Sequence, residues 1–334
     1  MITILHRINL IIPNMKKKIK TIFMGTPDFA VPTLKKLIES ENIEIQAVFC
    51  QPDKAANRGK KIQQAPTKII ALEQQIPVYQ PDKLSLELEN IKELEPDLII
   101  VIAYGKIIPQ SILDIPKYGA LNIHASLLPK YRGSSCLQAA ILNGDEKTGV
   151  TIMKLDAKMD TGPILRQREL KLAGTETADD LHDTLSQMGA DLLLETIADY
   201  LNKKLQPIAQ DDSQATYVSL IKKEDAKLDP SLSAEILDRK VRAYYPWPGT
   251  YLELSNGEKL KILAAKLRIR ENKKTEGGQD NLHIGSFHLE DKELFLRCGQ
   301  NDLHILKLQR ENRNALSASE FLKGNSDILE LKAK

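Results

Sequence analysis

A chain of 334 residues is longer than the usual single domain, so two separate hydrophobic cores are expected. With 42% hydrophobic residues, 28% charged residues and a formal net charge of +2, the composition suits a globular protein and excludes a histone-like polycation, although a local basic patch is still allowed. Three isolated cysteines, Cys50, Cys136 and Cys298, without Cys-x-x-Cys or Cys/His spacing, argue against a disulfide framework and a zinc site and fit a reducing cytoplasm.

Residues 1–18 read as an N-terminal extension. His6 and Arg7 interrupt its apolar run and no small-residue cleavage site follows, so no signal peptide is expected. Met15, followed by Lys16, Lys17 and Lys18, reads as an alternative start. No apolar run nears the roughly 20 residues that span a bilayer, and no membrane partner is expected.

Lys20–Met24 is predicted to be a strand, and Gly25–Phe29 turns into a helix carrying Leu34, Leu37 and Ile38 on one face. A single glycine, with Pro27 removing a backbone N–H, makes a poor phosphate cradle. A strand-to-helix turn capped by Thr26 or Asp28 is the better reading. After a strand at Ile43–Cys50, residues 51–66 form a basic loop, far longer than the roughly 2–6 residues usual between strand and helix. Helix Thr67–Gln75, strand Pro77–Gln80, helix Ser85–Leu94 and strand Asp97–Tyr104 continue the alternation. The last is almost continuously apolar, as in the centre of a covered parallel sheet.

The segment Gly119–Gly133 is predicted to begin as a strand in which Leu121, Ile123 and Ala125 alternate with Asn122 and His124. The amide and the imidazole then share one face, about 6–7 Å apart. Taken alone, the pair is either a satisfied core pair or part of a catalyst. Helix Ser134–Leu142, strand Thr148–Leu155, a turn at Asp156–Gly162, strand Ile164–Leu172 and a helix from Thr177 to Lys203 complete a doubly wound, Rossmann-like α/β domain over 19–206. Its site is expected beyond the carboxyl ends of the central strands.

Residues 207–222 are polar and aperiodic and read as a linker. In 223–334 a helix at Ser231–Tyr244 precedes strands at Thr250–Leu254, Lys259–Ile269, Leu282–His288, Glu293–Arg297 and Leu303–Leu308. They suggest a small, OB-like β-barrel of the kind that holds nucleic acid. Trp247, between Pro246 and Pro248, is expected to pack against its own barrel. Lys266, Arg268 and Arg270, with Lys273 and Lys274, could line one face or simply be solvated.

Asp160, in an Asp-Thr-Gly turn after the strand at Thr148–Leu155, could orient His124 and raise its pKa. Asn as a neutral donor, His as a donor or proton shuttle and Asp as a base or orienter suit acyl transfer to an amine without a covalent intermediate.

The stretch NIHASLLPKYRG (122–133), with GVTIMKLDAKMDTGPIL (149–165), resembles the motif of the folate-dependent formyltransferases. Together with GTPDFA, the QPDKAANRGKK loop, AYGKIIP and YYPWPGTYLEL, the likeness runs from about Ile19 to Leu322. It is to the branch acting on methionyl-tRNA. The resemblance implies that Asn122, His124 and Asp160 are catalytic, that Ser126, Leu127, Leu128 and Pro129 border the folate site, and that Arg58, Lys60 and Lys61 contact tRNA. It further implies 10-formyltetrahydrofolate as formyl donor and co-substrate, aminoacylated initiator tRNA as partner, no metal, and a monomer. Formylation of a sugar-nucleotide amine and hydrolysis of the formyl-folate share the trio and stay open as alternatives. An RNA-binding protein on a dead scaffold is opposed by the intact trio. Two positions depart from the family pattern: Cys136 stands where proline is usual and Asn57 where glycine is common.

Overall fold

The computed structural model describes residues 17–56, 61–270 and 282–334. The expected start-site residue Met15, the tRNA-contacting candidates Arg58 and Lys60, and Asn57, Lys273 and Lys274 lie outside them. Lys61 is the first residue of a short strand.

In chain order the first elements are β1 (Ile19–Gly25), α1 (Val31–Glu39), β2 (Ile43–Phe49), β3 (Lys54–Ala56), β4 (Lys61–Gln63), α2 (Pro66–Glu73) and β5 (Val78–Tyr79). There follow α3 (Leu88–Glu93), β6 (Leu98–Ile102), α4 (Gln110–Leu113), β7 (Ala120–His124), β8 (Arg132–Gly133), α5 (Cys136–Leu142), β9 (Lys147–Lys154), β10 (Ile164–Lys171), α6 (Ala178–Leu201) and β11 (Tyr217–Val218). The chain divides into two compact units. One holds residues up to Gly133, Thr148–Leu170 and His182–Val218; the other holds Ser134–Lys147, Lys171–Leu181 and Ser219–Lys334.

The first unit is built on a seven-stranded sheet in the order β10-β9-β7-β6-β1-β2-β5. Its strands from β5 to β7 are parallel. The chain winds outward from β1 through β2 to β5 and then returns to β6 on the other side of β1. This reversal makes a topological switch point at the strand ends. All five residues of β6 are buried, which explains their unbroken apolar run. β9 departs from the parallel pattern: it runs antiparallel to β7, pairing His124 with Thr151 and Leu121 with Lys154. A strand buried on both faces carries no directional signal in its sequence, so this reversal was not legible.

The turn after β1 is held differently from expectation. The short 3₁₀ turn at Asp28–Ala30 is preceded by Pro27 and has no side-chain cap. Thr26 Oγ1 instead accepts from the Gln51 amide at 3.1 Å, and Asp28 Oδ1 accepts from the adjacent Phe29 amide at 3.0 Å. Thr26 thus ties this turn to the start of the basic loop. Within that loop β3 and β4 form an antiparallel hairpin. Its base is fastened by Lys68 Nζ, which donates to Asp53 Oδ2 at 2.6 Å and Gln80 Oε1 at 2.7 Å, while Gln80 Nε2 donates to Asp53 Oδ1 at 2.8 Å.

Residues 207–218, part of the expected linker, pack with this unit. Ile208 and Ile164 exchange two backbone bonds at 2.8 Å, and β11 pairs in parallel with β8.

The second unit contains α7 (Ala234–Ala243), β12 (Thr250–Glu253), β13 (Lys259–Arg268), β14 (Phe287–Glu290), β15 (Glu293–Arg297), β16 (Asp302–Arg310), β17 (Leu316–Ser317) and α8 (Ala318–Leu322). Its antiparallel sheet has the order β12-β13-β16-β15-β14, with β17 on β16. The C-terminal residues bridge both sheet edges, Ala333 to Leu254 and Lys332 to Ser286, which draws the sheet towards a barrel. That closure needs Gly285: at φ +85° a Cβ there would sit 2.3 Å from the Ala333 carbonyl. The strand expected from Leu282 accordingly begins only at Phe287. α7 is capped by Ser233 and buries Leu237 and Val241 in a core with Leu252, Ile262, Leu296 and Ile305.

α5 also belongs to this unit and packs against α7. It starts at Cys136, the first helical position, where a proline's missing N–H would matter least, so the cysteine leaves the helix start in place. Trp247 is 55% exposed rather than packed: α7 has ended at Ala243, and a segment with prolines at 246 and 248 can neither extend a helix nor join a ladder.

Candidate active site

β7 ends the site side of the sheet with Asn122 and His124 on one face, 8% and 6% exposed, while Leu121 and Ile123 face the other way into the core. Among the described residues the Asn122 amide has no side-chain hydrogen-bond partner. An amide at the edge of the site without such a partner is a donor available to something else.

The loop after β7 is tightly braced. Thr151 Oγ1, across the antiparallel register, donates to the Ser126 carbonyl at 2.6 Å and accepts from the Leu128 amide at 3.1 Å. Gln167 Nε2 donates to both the Leu128 carbonyl and Thr151 Oγ1, at 2.9 and 2.8 Å. Ser126 is 1% exposed and donates its hydroxyl to the Lys130 carbonyl at 2.5 Å; Leu128 is 3% exposed, and Leu127 and Pro129 are partly exposed. From the far side, Thr216 Oγ1 accepts from the Tyr131 amide at 2.8 Å.

This bracing fixes the tautomer of His124. Its Nε2 lies 2.9 Å from the Tyr131 carbonyl, which can only accept, so Nε2 carries a hydrogen. In the neutral ring the lone pair is then on Nδ1. Nδ1 faces Asp160, whose Oδ1 is 3.7 Å away.

Asp160 arrives by an indirect route. Because β9 is antiparallel, its last residues lie beside the start of β7, with the Leu155 amide 2.8 Å from the Ala120 carbonyl. The turn at 156–162 then folds back so that Asp160, at φ +55°, meets His124. Its other carboxylate oxygen accepts from the Gly133 amide at 2.8 Å. Gly133 has φ +114°, and a Cβ there would lie 2.1 Å from the Val218 carbonyl, so the donor can occupy this place only on a glycine.

Sequence reasoning missed the supporting residues Thr151, Gln167, Gln210 and Arg132. Arg132 is 1% exposed. It donates to Gln210 Oε1 from Nε and Nη2 at 3.1 and 2.9 Å, to the Tyr217 hydroxyl at 2.9 Å and to Asp212 Oδ1 at 2.6 Å. Burial would lower its pKa, but the bonds to Asp212 and Tyr217 outweigh that and hold it above the usual arginine value. The only available signal was an arginine directly after the loop and a polar segment rich in partners eighty residues later.

Beside the Asp160 turn lies a cavity of about 600 Å³ lined by Gln110, Asp156, Lys158, Thr161, Gln210 and Asp212, among others. Among the described residues no His, Cys, Asp and Glu group is placed to hold a metal ion, and no helix is long and apolar enough to cross a membrane. The arrangement offers one free donor, one ring nitrogen able to accept a proton and a carboxylate facing it, a set suited to transfer of an acyl group to an amine.

Residues 17–197 match the family model described as formyl transferase, and 220–326 match the formyl transferase C-terminal domain. A methionyl-tRNA formyltransferase of Clostridium novyi is 40% identical over 314 residues, covering 93% of this chain and 98% of its own length. One from Clostridium perfringens strain 13 is 43% identical over 311 residues, covering 92% and 97%. Among solved structures, an N-formyltransferase of Helicobacter canadensis in complex with folinic acid and dTDP-3-aminofucose superposes with a TM-score of 0.62 at 21% identity, over 86% of this chain and 99% of that one. HypX of Aquifex aeolicus with tetrahydrofolic acid gives 0.60 at 16% identity, over 91% of this chain; the chain spans 46% of the length of HypX. At these identities the structures speak for the fold alone. The sequence relatives match at 40% or more over nearly their whole length, and on that ground the chain belongs to the methionyl-tRNA formyltransferase family.

Proposed function

We propose that the chain transfers the formyl group of 10-formyltetrahydrofolate to the free amino group of methionyl-initiator tRNA, as a monomer in the cytoplasm. The observation that carries this is the 40–43% identity to methionyl-tRNA formyltransferases across 92–93% of the chain. The chemistry follows from three side chains. The Asn122 amide donates to the formyl oxygen as it becomes negative. His124 Nδ1 takes the proton from the attacking nitrogen as the new C–N bond forms, and Asp160 faces that ring nitrogen from 3.7 Å. The bond from the formyl carbon to the folate nitrogen breaks, and that nitrogen receives a proton. Ser126, Leu127, Leu128 and Pro129 border the folate, with the Ser126 hydroxyl holding the loop closed.

Arg58, Lys60 and Lys61 contact tRNA phosphates. Neutralising them weakens tRNA binding and flattens its salt dependence by roughly one unit of log–log slope per contact. An unchanged slope assigns the loop to solvent. The decisive assay compares formyl transfer to charged initiator tRNA, to an amino-sugar nucleotide and to water, with and without 10-formyltetrahydrofolate. Faster transfer to either of the latter overturns the tRNA reading.

A further inference from the structure

We infer that Gln210 is a positioning residue for the Asp160 carboxylate, held in a single orientation by the buried Arg132. This role presupposes that Asp160 serves the transfer as proposed above. Gln210 Nε2 donates to the main-chain carbonyls of Asp160 at 2.8 Å and Gly162 at 2.7 Å, so it grips the turn on both sides of Thr161. Its Oε1 accepts two bonds from Arg132. The amide can be assigned only this way round: a guanidinium has donors alone and the carbonyls are acceptors alone, so the flipped amide would oppose like groups at four contacts.

Asp160 needs such a hold. At φ +55° a residue with a side chain sits in a sparsely populated region, which persists where neighbours over-determine it. The Gly133 amide grips the carboxylate and Gln210 grips the main chain, so the two together fix how the carboxylate faces His124. Arg132 is fixed in turn by Asp212 and Tyr217. A segment of chain that reads as a spacer therefore supplies the brace of the reacting site.

The test is a pair of variants. Gln210→Glu keeps the shape and the bonds from Arg132 but places an oxygen against two carbonyls; Gln210→Leu removes the donor without adding charge. Each is expected to lower kcat roughly 10- to 100-fold, as displacement of a reacting group by about 1 Å does. KM for both substrates should stay within about twofold, because neither substrate is touched. In single-turnover measurements the loss should largely vanish in an Asp160→Asn background, since the two residues act as one unit. Wild-type kcat in either single variant, or an undiminished loss in the Asp160→Asn background, overturns the role. If Asp160→Asn itself transfers formyl at the wild-type rate, the assignment of Asp160 falls first. If Asp160→Asn is slowed and the Gln210 variants are not, only the positioning role falls.

Discussion

Asn122→Ala should separate catalysis from stability. The amide is 8% exposed and has no side-chain partner among the described residues, so its removal breaks no side-chain hydrogen bond of the fold. The expected net change in stability is within about 1 kcal/mol, or a shift of at most about 3 °C in Tm. Loss of one oxyanion donor should lower kcat by roughly 10² to 10³, about 2.7–4 kcal/mol of transition-state stabilisation. Both are measurable on one preparation: formylation of charged tRNA at saturating formyl donor, and thermal unfolding by circular dichroism. Asn122→Asp, of equal size but repelling an oxyanion, should be at least as slow. A kcat within about threefold of wild type, or a Tm lowered by more than about 5 °C, would refute the reasoning. The first result would remove the donor from the chemistry, and the second would make the amide part of the core.

Gly133→Ala would press a methyl against the Val218 carbonyl at a φ that side chains rarely adopt. It should cost more than about 1 kcal/mol and lower kcat, because the same residue's amide holds Asp160; thermal unfolding and formylation assays check this, and full activity would contradict it. Hydrogen bonds from Lys68, and then from Gln80, hold the Asp53 carboxyl below its ordinary pKa. Its contribution is therefore present above the usual aspartate range and lost as pH falls through the lowered folded value. Asp53→Asn should be less stable at pH 7 by on the order of 1 kcal/mol, and the gap to wild type should close below about pH 4. A gap that persists at pH 2 would show that the pair is not the cause. Burial pushes the Cys50 thiol up to about 11 and Cys298 up to about 12, and Cys136 is also buried. At pH 8 iodoacetamide should label none of the three until the chain is unfolded, as mass spectrometry would show; rapid labelling of native Cys50 would contradict its burial.

Local pattern made much of the first unit legible. The apolar run of β6, the alternation in β7 and the helical periodicity of α1 and α6 each report which face of an element is covered, and covered faces are what a sequence records most directly. The place of Asn122 and His124 on one face of a strand end followed from that alternation alone. Asp160 was nominated by its turn and by resemblance, while its path to His124 was not legible. β9 runs antiparallel, and the contact depends on a fold-back at positive φ that no spacing announces.

The amino-acid sequence by itself determined most element types, the α/β alternation of the first unit, the run of consecutive strands after α7 and the motif that carries the family resemblance. All of these reside in residues close along the chain. The tertiary structure alone decided which nitrogen of His124 carries the hydrogen, because that depends on a carbonyl seven residues away brought round by a braced loop. It also decided that Gln210 and Arg132 meet the Asp160 turn, because hydrogen bonds spanning fifty to eighty residues depend on how the chain closes rather than on how it is spaced.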